Sequence, residues 1–189
     1  MTSHLYAGSF NTIMDKINPE EIVIRTTLKP GDLGYVIYLH GKLYQQEYGY
    51  STSFEVYVAQ GLSEFYRNYD PLLDGIWIME HKEKIVGFLL LMHRDQGQAQ
   101  LRYFIIEPAY RGLGLGKMLS DLFMAHFIEK GYERAYLWTT DELYTAANIY
   151  QKMGFRLSEE VLSESFGKRV KEQRFDLVLK SGQESSQQV

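Results

Sequence analysis

Leu101-Arg-Tyr-Phe-Ile-Ile-Glu-Pro-Ala-Tyr-Arg-Gly-Leu-Gly-Leu-Gly-Lys117 passes from a β-prone segment, through a proline, into three alternate glycines and a cation. Leu115, Leu119, Leu122, Phe123 and Phe127 follow at helical spacing, so the glycines open a helix. The first amides of a helix lack intrahelical partners and lie at the positive end of its dipole. Glycines let that backbone approach an anion without side-chain obstruction. Arg111 and Lys117 add charge at either end. Such a turn is built to hold a phosphate or pyrophosphate.

Spacing separates this turn from two other phosphate loops. A P-loop needs four residues between its first glycine and Gly-Lys, then Ser or Thr; here the glycines are closer and Met118 follows Lys117. A dinucleotide fingerprint places two residues before its last glycine and sits in a βαβ unit. Here one residue intervenes. A turn that uses glycine for packing alone is the plainer alternative, but three glycines between two cations exceed what a turn requires.

Working outward, strands are expected at Ile76–Glu80, Ile85–His93 and Gln98–Ile106, joined by the short polar connections Lys82–Lys84 and Arg94–Gly97. Two tight connections in a row predict an antiparallel meander. Further upstream, the β-branched run Ile22–Leu28 reads as a strand, and Asp32 as the N-cap of a helix to about Tyr48, stopped by Gly49. Thr52-Ser-Phe-Glu55 has the capping-box pattern and opens a helix to about Arg67. Leu5–Lys16 reads as a short helix or a loose lead-in. Downstream, the glycine-turn helix ends at Gly131. A strand at Ala135–Thr139, a helix from about Leu143 to Met153, and strands at Phe155–Leu157 and Glu172–Leu179 come next. This order predicts an α/β layer with a mixed sheet. Residues 1–20 form a lead-in, 21–180 one domain, and the polar 181–189 a disordered tail.

Composition sets the outer bounds. The chain has 189 residues, 45% of them hydrophobic, 15 tyrosines, no cysteine and a net charge of −4. It is long enough for one domain with a sizeable core. Disulfides, cysteine-type zinc sites and a cysteine nucleophile are excluded. Nothing in the charge points to nucleic acid. No apolar run reaches membrane-span length, and Met1–Asp15 lacks the features of a signal peptide. A cytoplasmic protein with no membrane partner is the expectation.

The glycine-turn segment resembles the pyrophosphate-binding motif of the GNAT N-acetyltransferase superfamily, a strand, a proline and Arg-x-x-Gly-x-Gly opening a helix. Ala146-Ala-Asn-Ile-Tyr-Gln-Lys-Met-Gly-Phe155 resembles a second GNAT segment, Ala-x-x-x-Tyr-x-x-x-Gly-Phe. The family often has Asn seven residues before this tyrosine; here that position is Leu143. The stretch from Gly31 to Ala59, Leu137–Thr139 and Ser165–Gly167 also look like the acetyltransferase half of bacterial proteins that fuse a MarR-type domain to a GNAT domain. The MarR part is absent, so no DNA-binding role is implied.

The resemblance implies a GNAT fold, with a twisted mixed sheet flanked by helices and acyl-CoA in the splay between central strands. It implies acetyl transfer from acetyl-CoA to an amine, small molecule or peptide, in a ternary complex and without a metal. The pyrophosphate would meet Arg111, Gly112, Leu113, Gly114, Leu115, Gly116 and Lys117. The pantetheine would run along Phe104, Ile105 and Ile106, beside Ala147 and Tyr150. Tyr150 would stabilise the leaving thiolate.

The base is open. Gln100 and Arg102, on the strand where family members place a glutamate, cannot serve. His40 and Glu47 fall within the apolar stripe of the first helix and are the base candidates, since inward-facing ionisable groups need a purpose or a partner. Tyr44, Glu47, Tyr48 and Glu55 are the acceptor-side candidates. A homodimer is compatible with this reading. Two other classes stay open: an acyl-CoA-binding sensor without catalysis, and a module acting through protein contacts.

Overall fold

The computed structural model describes residues 17–179. The Leu5–Lys16 lead-in and the 181–189 tail lie outside them. The elements are β1 (Val23–Arg25), α1 (Asp32–Tyr48), α2 (Thr52–Asn68), β2 (Gly75–His81), β3 (Lys84–Arg94), β4 (Gln98–Ile106), α3 (Leu115–Glu129), β5 (Arg134–Thr140), α4 (Tyr144–Lys152), β6 (Arg156–Ser163) and β7 (Val170–Val178). Seven strands form one mixed sheet in the order β1-β2-β3-β4-β5-β7-β6. Only β4 and β5 pair in parallel. No described helix is long and apolar enough to cross a membrane.

Helices cover both faces of the sheet, which is why Ile85–Met92 reads as one apolar run rather than an alternation. Leu89 and Leu91 join Leu119, Phe123 and Phe127 of α3 in one core. Phe88, Leu90 and Met92 join Val36, Leu39, Phe54, Val58 and Leu62 of α1 and α2 in the other.

Two features of β4 open the centre of the sheet. Phe88 of β3 faces Ile105 and Leu90 faces Arg102, so β4 carries one residue more than its partner across this interval. The extra residue is a bulge, and Tyr103 there has φ +59°, a left-handed conformation that costs a side-chain-bearing residue about 1 kcal/mol or more. The bulge places Tyr103 in the core beneath α1 and α2, on the side where the Arg102 guanidinium also lies, over the Tyr57 ring of α2. Then β5 pairs with β4 over Gln98–Gln100 only, opposite Arg134–Tyr136. Beyond that point the strands part.

The boundaries differ from expectation in four places. β1 stops at Arg25 because its guanidinium turns to bind Asp32 (2.7 Å) and Glu80 (2.6 Å). Asp32 is inside α1, after Gly31, and does not cap it; its carboxylate accepts the Lys29 N–H at 2.6 Å and the Arg25 pair. Ser51, not Thr52, caps α2, accepting the Ser53 N–H at 3.3 Å. Glu55 therefore lies one position beyond the capping-box site. β6 runs on to Ser163, paired from Arg156↔Asp176 to Ser163↔Val170. It is an exposed edge strand, so its polar residues gave no burial pattern to read.

Arg25 lies between two carboxylates with little access to water, and losing one partner of such a cluster costs about 3 kcal/mol. Arg25 holds the Glu80 carboxyl below its ordinary value of 4.5. A depressed carboxylate contributes its stability above the unfolded-state pKa and loses it as pH falls through the lower folded-state value. Glu80→Gln is expected to lower chemical-denaturation stability at pH 7, with the gap from the native protein closing below pH 4. A gap that persists in acid would remove the ion-pair account.

Candidate active site

The parting of β4 and β5 opens two cavities that meet at Tyr44, Phe104 and Leu143. One, of about 270 Å³, lies along β4 between the glycine turn and α4. The other lies under α1 and α2, closed by β5 and by the loop carrying Phe166.

The first is a groove built to take an extended chain with an anion at its end. Past Gln100 the β5-facing edge of β4 has no strand partner. Phe104, Ile105, Ile106, Ala146 and Ile149 give it apolar walls. At its end Gly112 (φ +80°) and Gly114 (φ +82°) bend the chain into α3 through conformations that L side chains adopt only under strain. Gly114 caps α3 without a side-chain hydrogen bond, leaving the first amides of a 15-residue helix open. Gly116 faces Ile106, Ile149 and Phe104, whose atoms lie at ordinary van der Waals distance, 3.6–3.9 Å, from where a Cβ would stand.

Arg111 lies beside this turn. Its Nε donates to the Ile106 carbonyl at 3.2 Å, and its Nη atoms hold both Glu47 oxygens at 3.0 and 2.9 Å. That fork-to-fork pair ties the end of α1 to the turn. Glu47, the predicted base and acceptor contact, thus lines the groove with its carboxylate engaged by Arg111. Tyr48 goes with it into the groove. Lys117 points outward to Asp121 at 2.6 Å, so only its main chain faces the turn's anion site. Leu113 and Ala147 pack against the α3-side core, and Ala146 and Ile149 line the groove on the α4 side.

The second cavity holds His40, Tyr44 and Tyr150 from the predicted set. His40 donates from Nδ1 to the Val36 carbonyl at 2.8 Å. Since a carbonyl only accepts, that bond fixes the tautomer and leaves Nε2 as the lone-pair nitrogen. Burial lowers the His40 pKa to about 4, with a nearby Arg102 charge acting in the same direction. His40 is therefore neutral at physiological pH, an acceptor and a weak base. Tyr44 stacks between His40 and Phe54, at 5.9 and 4.3 Å. Tyr150 is 6% exposed, its ring beside Phe104. Burial alone pushes its phenol pKa above 10.

Glu55 does not reach this cavity. It is exposed, against Gly41 of α1, in a groove with Tyr38 and Lys42, apart from the other predicted acceptor-side residues. Several lining residues went unassigned in the sequence: Tyr57, Tyr103, Trp138, Thr139 and Glu172, together with Gln100 and Arg102, which were weighed only as bases. The Tyr103 and Thr139 hydroxyls are buried without a hydrogen-bond partner among the described residues. The one available signal was an arginine set among apolar residues in a core strand.

Residues 41–155 match the acetyltransferase (GNAT) family, and the chain belongs to it. Over 115 residues it is 34% identical to the uncharacterized N-acetyltransferase YjgM of Escherichia coli, a match covering 58% of this chain and 68% of that one. Mycothiol acetyltransferases are more distant and longer relatives; the matches span less than half of their length. Among solved structures, a GNAT-family acetyltransferase from Staphylococcus aureus aligns with a TM-score of 0.67 at 23% identity, over 84% of this chain and 99% of that one. A Vibrio cholerae spermidine N-acetyltransferase, in complex with CoA and spermine, aligns with a TM-score of 0.59 at 17% identity, over 84% and 96%. These structural likenesses are to the fold.

The family uses acetyl-CoA, which gives the groove a test. Gly114→Asp puts a carboxylate at the anion end, while Gly114→Asn has nearly the same shape and tolerates the left-handed conformation. Titration calorimetry is expected to show acetyl-CoA binding at least tenfold weaker to the Asp variant than to the Asn variant. Equal affinities would move the pyrophosphate elsewhere.

Proposed function

We propose that the protein transfers the acetyl group of acetyl-CoA to an amine by direct attack, with both reactants bound in the splay between β4 and β5. Tyr150 carries this reading: a buried tyrosine whose hydroxyl has no hydrogen-bond partner among the described residues, lining the acceptor cavity beside Phe104 and Leu143, where the two cavities join. The groove suits acetyl-CoA on three counts: open helix amides for the pyrophosphate, apolar walls for the pantetheine, and an unpaired strand edge for its amides. Acetyl-CoA supplies the activated acyl carbon.

In the acceptor cavity, the neutral amine forms the new C–N bond as the C–S bond breaks. The nitrogen sheds one proton and the departing sulfur takes up one. His40 Nε2 accepts a hydrogen bond and orients the amine; with a pKa of about 4 it passes the proton on to water rather than storing it. Tyr150 donates toward the sulfur. A phenol is a weaker acid than a thiol, so the donation stabilises developing charge without requiring complete transfer. Holding both partners in one cleft supplies much of the remaining acceleration.

Tyr150→Phe removes only the hydroxyl. The expected result is a loss of about ten- to a thousandfold in kcat, with KM for acetyl-CoA nearly unchanged, read as thiol release. Burial keeps the Tyr150 proton in place above pH 10, so kcat is expected to show no falling limb from this group up to pH 10. Equal kcat in the Phe variant would leave Tyr150 as a packing residue.

A further inference from the structure

Acetyl transfer through His40 and Tyr150 makes no use of Arg102. The Arg102 guanidinium lies over the Tyr57 and Tyr103 rings, 5.2 and 4.7 Å from their centroids, and lines the acceptor cavity. Among the described residues it has no carboxylate partner. Other cations of this region do: Arg94 holds Glu64 and Lys168 holds Glu142, each at 2.6 Å. Ring stacking satisfies the faces of a guanidinium but leaves its N–H edge as a planar fork, the shape that matches a carboxylate.

The fold makes room for this cation. Gly61 lies in the middle of α2, where glycine costs about 1 kcal/mol relative to alanine. A Cβ there would stand 2.0 Å from the Tyr103 hydroxyl and 3.0 Å from both Arg102 Nη atoms. The helix thus carries a gap at the place where Arg102 and Tyr103 rise from the β4 bulge. Across the cavity the other charged lining residue is Glu172, likewise without an ion-pair partner among the described residues. The remaining wall is mainly aromatic and apolar, with Phe54, Val58 and Phe166, and also carries the polar side chains of Gln100, Thr139 and Thr140.

We infer that the acceptor is an amine bearing a carboxylate, a free α-amino acid with an apolar side chain, whose carboxylate is held by Arg102 while its amine points toward Tyr150. This rests on the acetyl-transfer reading for the amine and on Arg102 for the carboxylate. Glu172 opposite matches the ammonium of the arriving zwitterion, and the ring wall takes the side chain. A polyamine, which brings several cations and no anion, would set a positive charge against Arg102.

The test uses CoA-saturated protein and three probes: L-leucine, L-leucinamide, which lacks only the carboxylate charge, and spermidine. Binding is read by calorimetry and acetyl transfer by thiol release. L-Leucine is expected to bind at least tenfold tighter than the amide, and Arg102→Gln to abolish that ratio. Thermal melting reports whether the variant folds; if it does not, Gly61→Ala, which crowds the guanidinium, is expected to shrink the ratio instead. Equal binding of acid and amide, tighter binding of spermidine, or binding of none of the three overturns the carboxylate site. Acetylation of spermidine alone would do so while leaving N-acetyltransferase activity intact. Acid-selective binding lost in Arg102→Gln, with no acetyl transfer, would uphold the site and overturn that activity.

Discussion

Everything functional in this molecule depends on one failure of pairing. β4 and β5 run side by side for three residues and then separate. A sheet continued to the end of β4 would satisfy its main chain and leave no space between its halves. The bulge at Tyr103 makes the alternative structure. It bends β4 away from β5, turns Tyr103 and Arg102 under α1 and α2, and leaves Phe104–Ile106 with an unpaired edge along the groove. The strained φ at Tyr103 is sustained because the core under α1 and α2 packs around it. The cost falls beside the splay where the two cavities open, and such strain persists only where a well-packed scaffold holds it.

Charge obeys the same division. Away from the splay, partly buried cations are tied down, as Arg25 is by Asp32 and Glu80. At the groove mouth Arg111 is tied by Glu47. Inside the second cavity the rule changes: His40 is stripped of charge by burial, and Arg102 and Glu172 line it with no ion-pair partner among the described residues. Uncompensated charge in a semi-enclosed cavity is unfavourable for the empty protein and favourable for a complementary ligand.

Much of the fold was legible in the sequence. The meander, the glycine turn and the four helices each carry a local signal, namely a turn length, a run of glycines or an apolar stripe. Two kinds of information were not local. Exposed β6 has one neighbour and no buried face, so hydrophobic pattern could not delimit it. The second is direction. Glu47 and His40 both lie on the inward stripe of α1, yet two turns of helix carry one to the cofactor groove and the other to the acceptor cavity. Periodicity gives the face and not the neighbour along the axis. Glu55 illustrates the same limit: it lies at the flank of its helix stripe, and only the fold shows that its neighbours are Gly41, Tyr38 and Lys42 of α1. Arg102 was passed over because it was judged by what it could not be, a base, rather than by what surrounds it.

The short β4–β5 ladder also has a mechanical meaning. The sheet amounts to two plates, β1 to β4 and β5 to β7, joined edge to edge along Gln98–Gln100 and bridged on one face by the core around α3 and on the other by the contacts of Tyr50 and Phe54 with Thr140 and Phe166. Main-chain pairing resists shear over seven residue pairs between β5 and β7, but here over three, as few as at the edge strand β1. A ligand lying in the gap would hydrogen-bond to one plate and pack against the other. It would behave as a splint across this short seam, and occupancy would be felt as rigidity well beyond the atoms it touches.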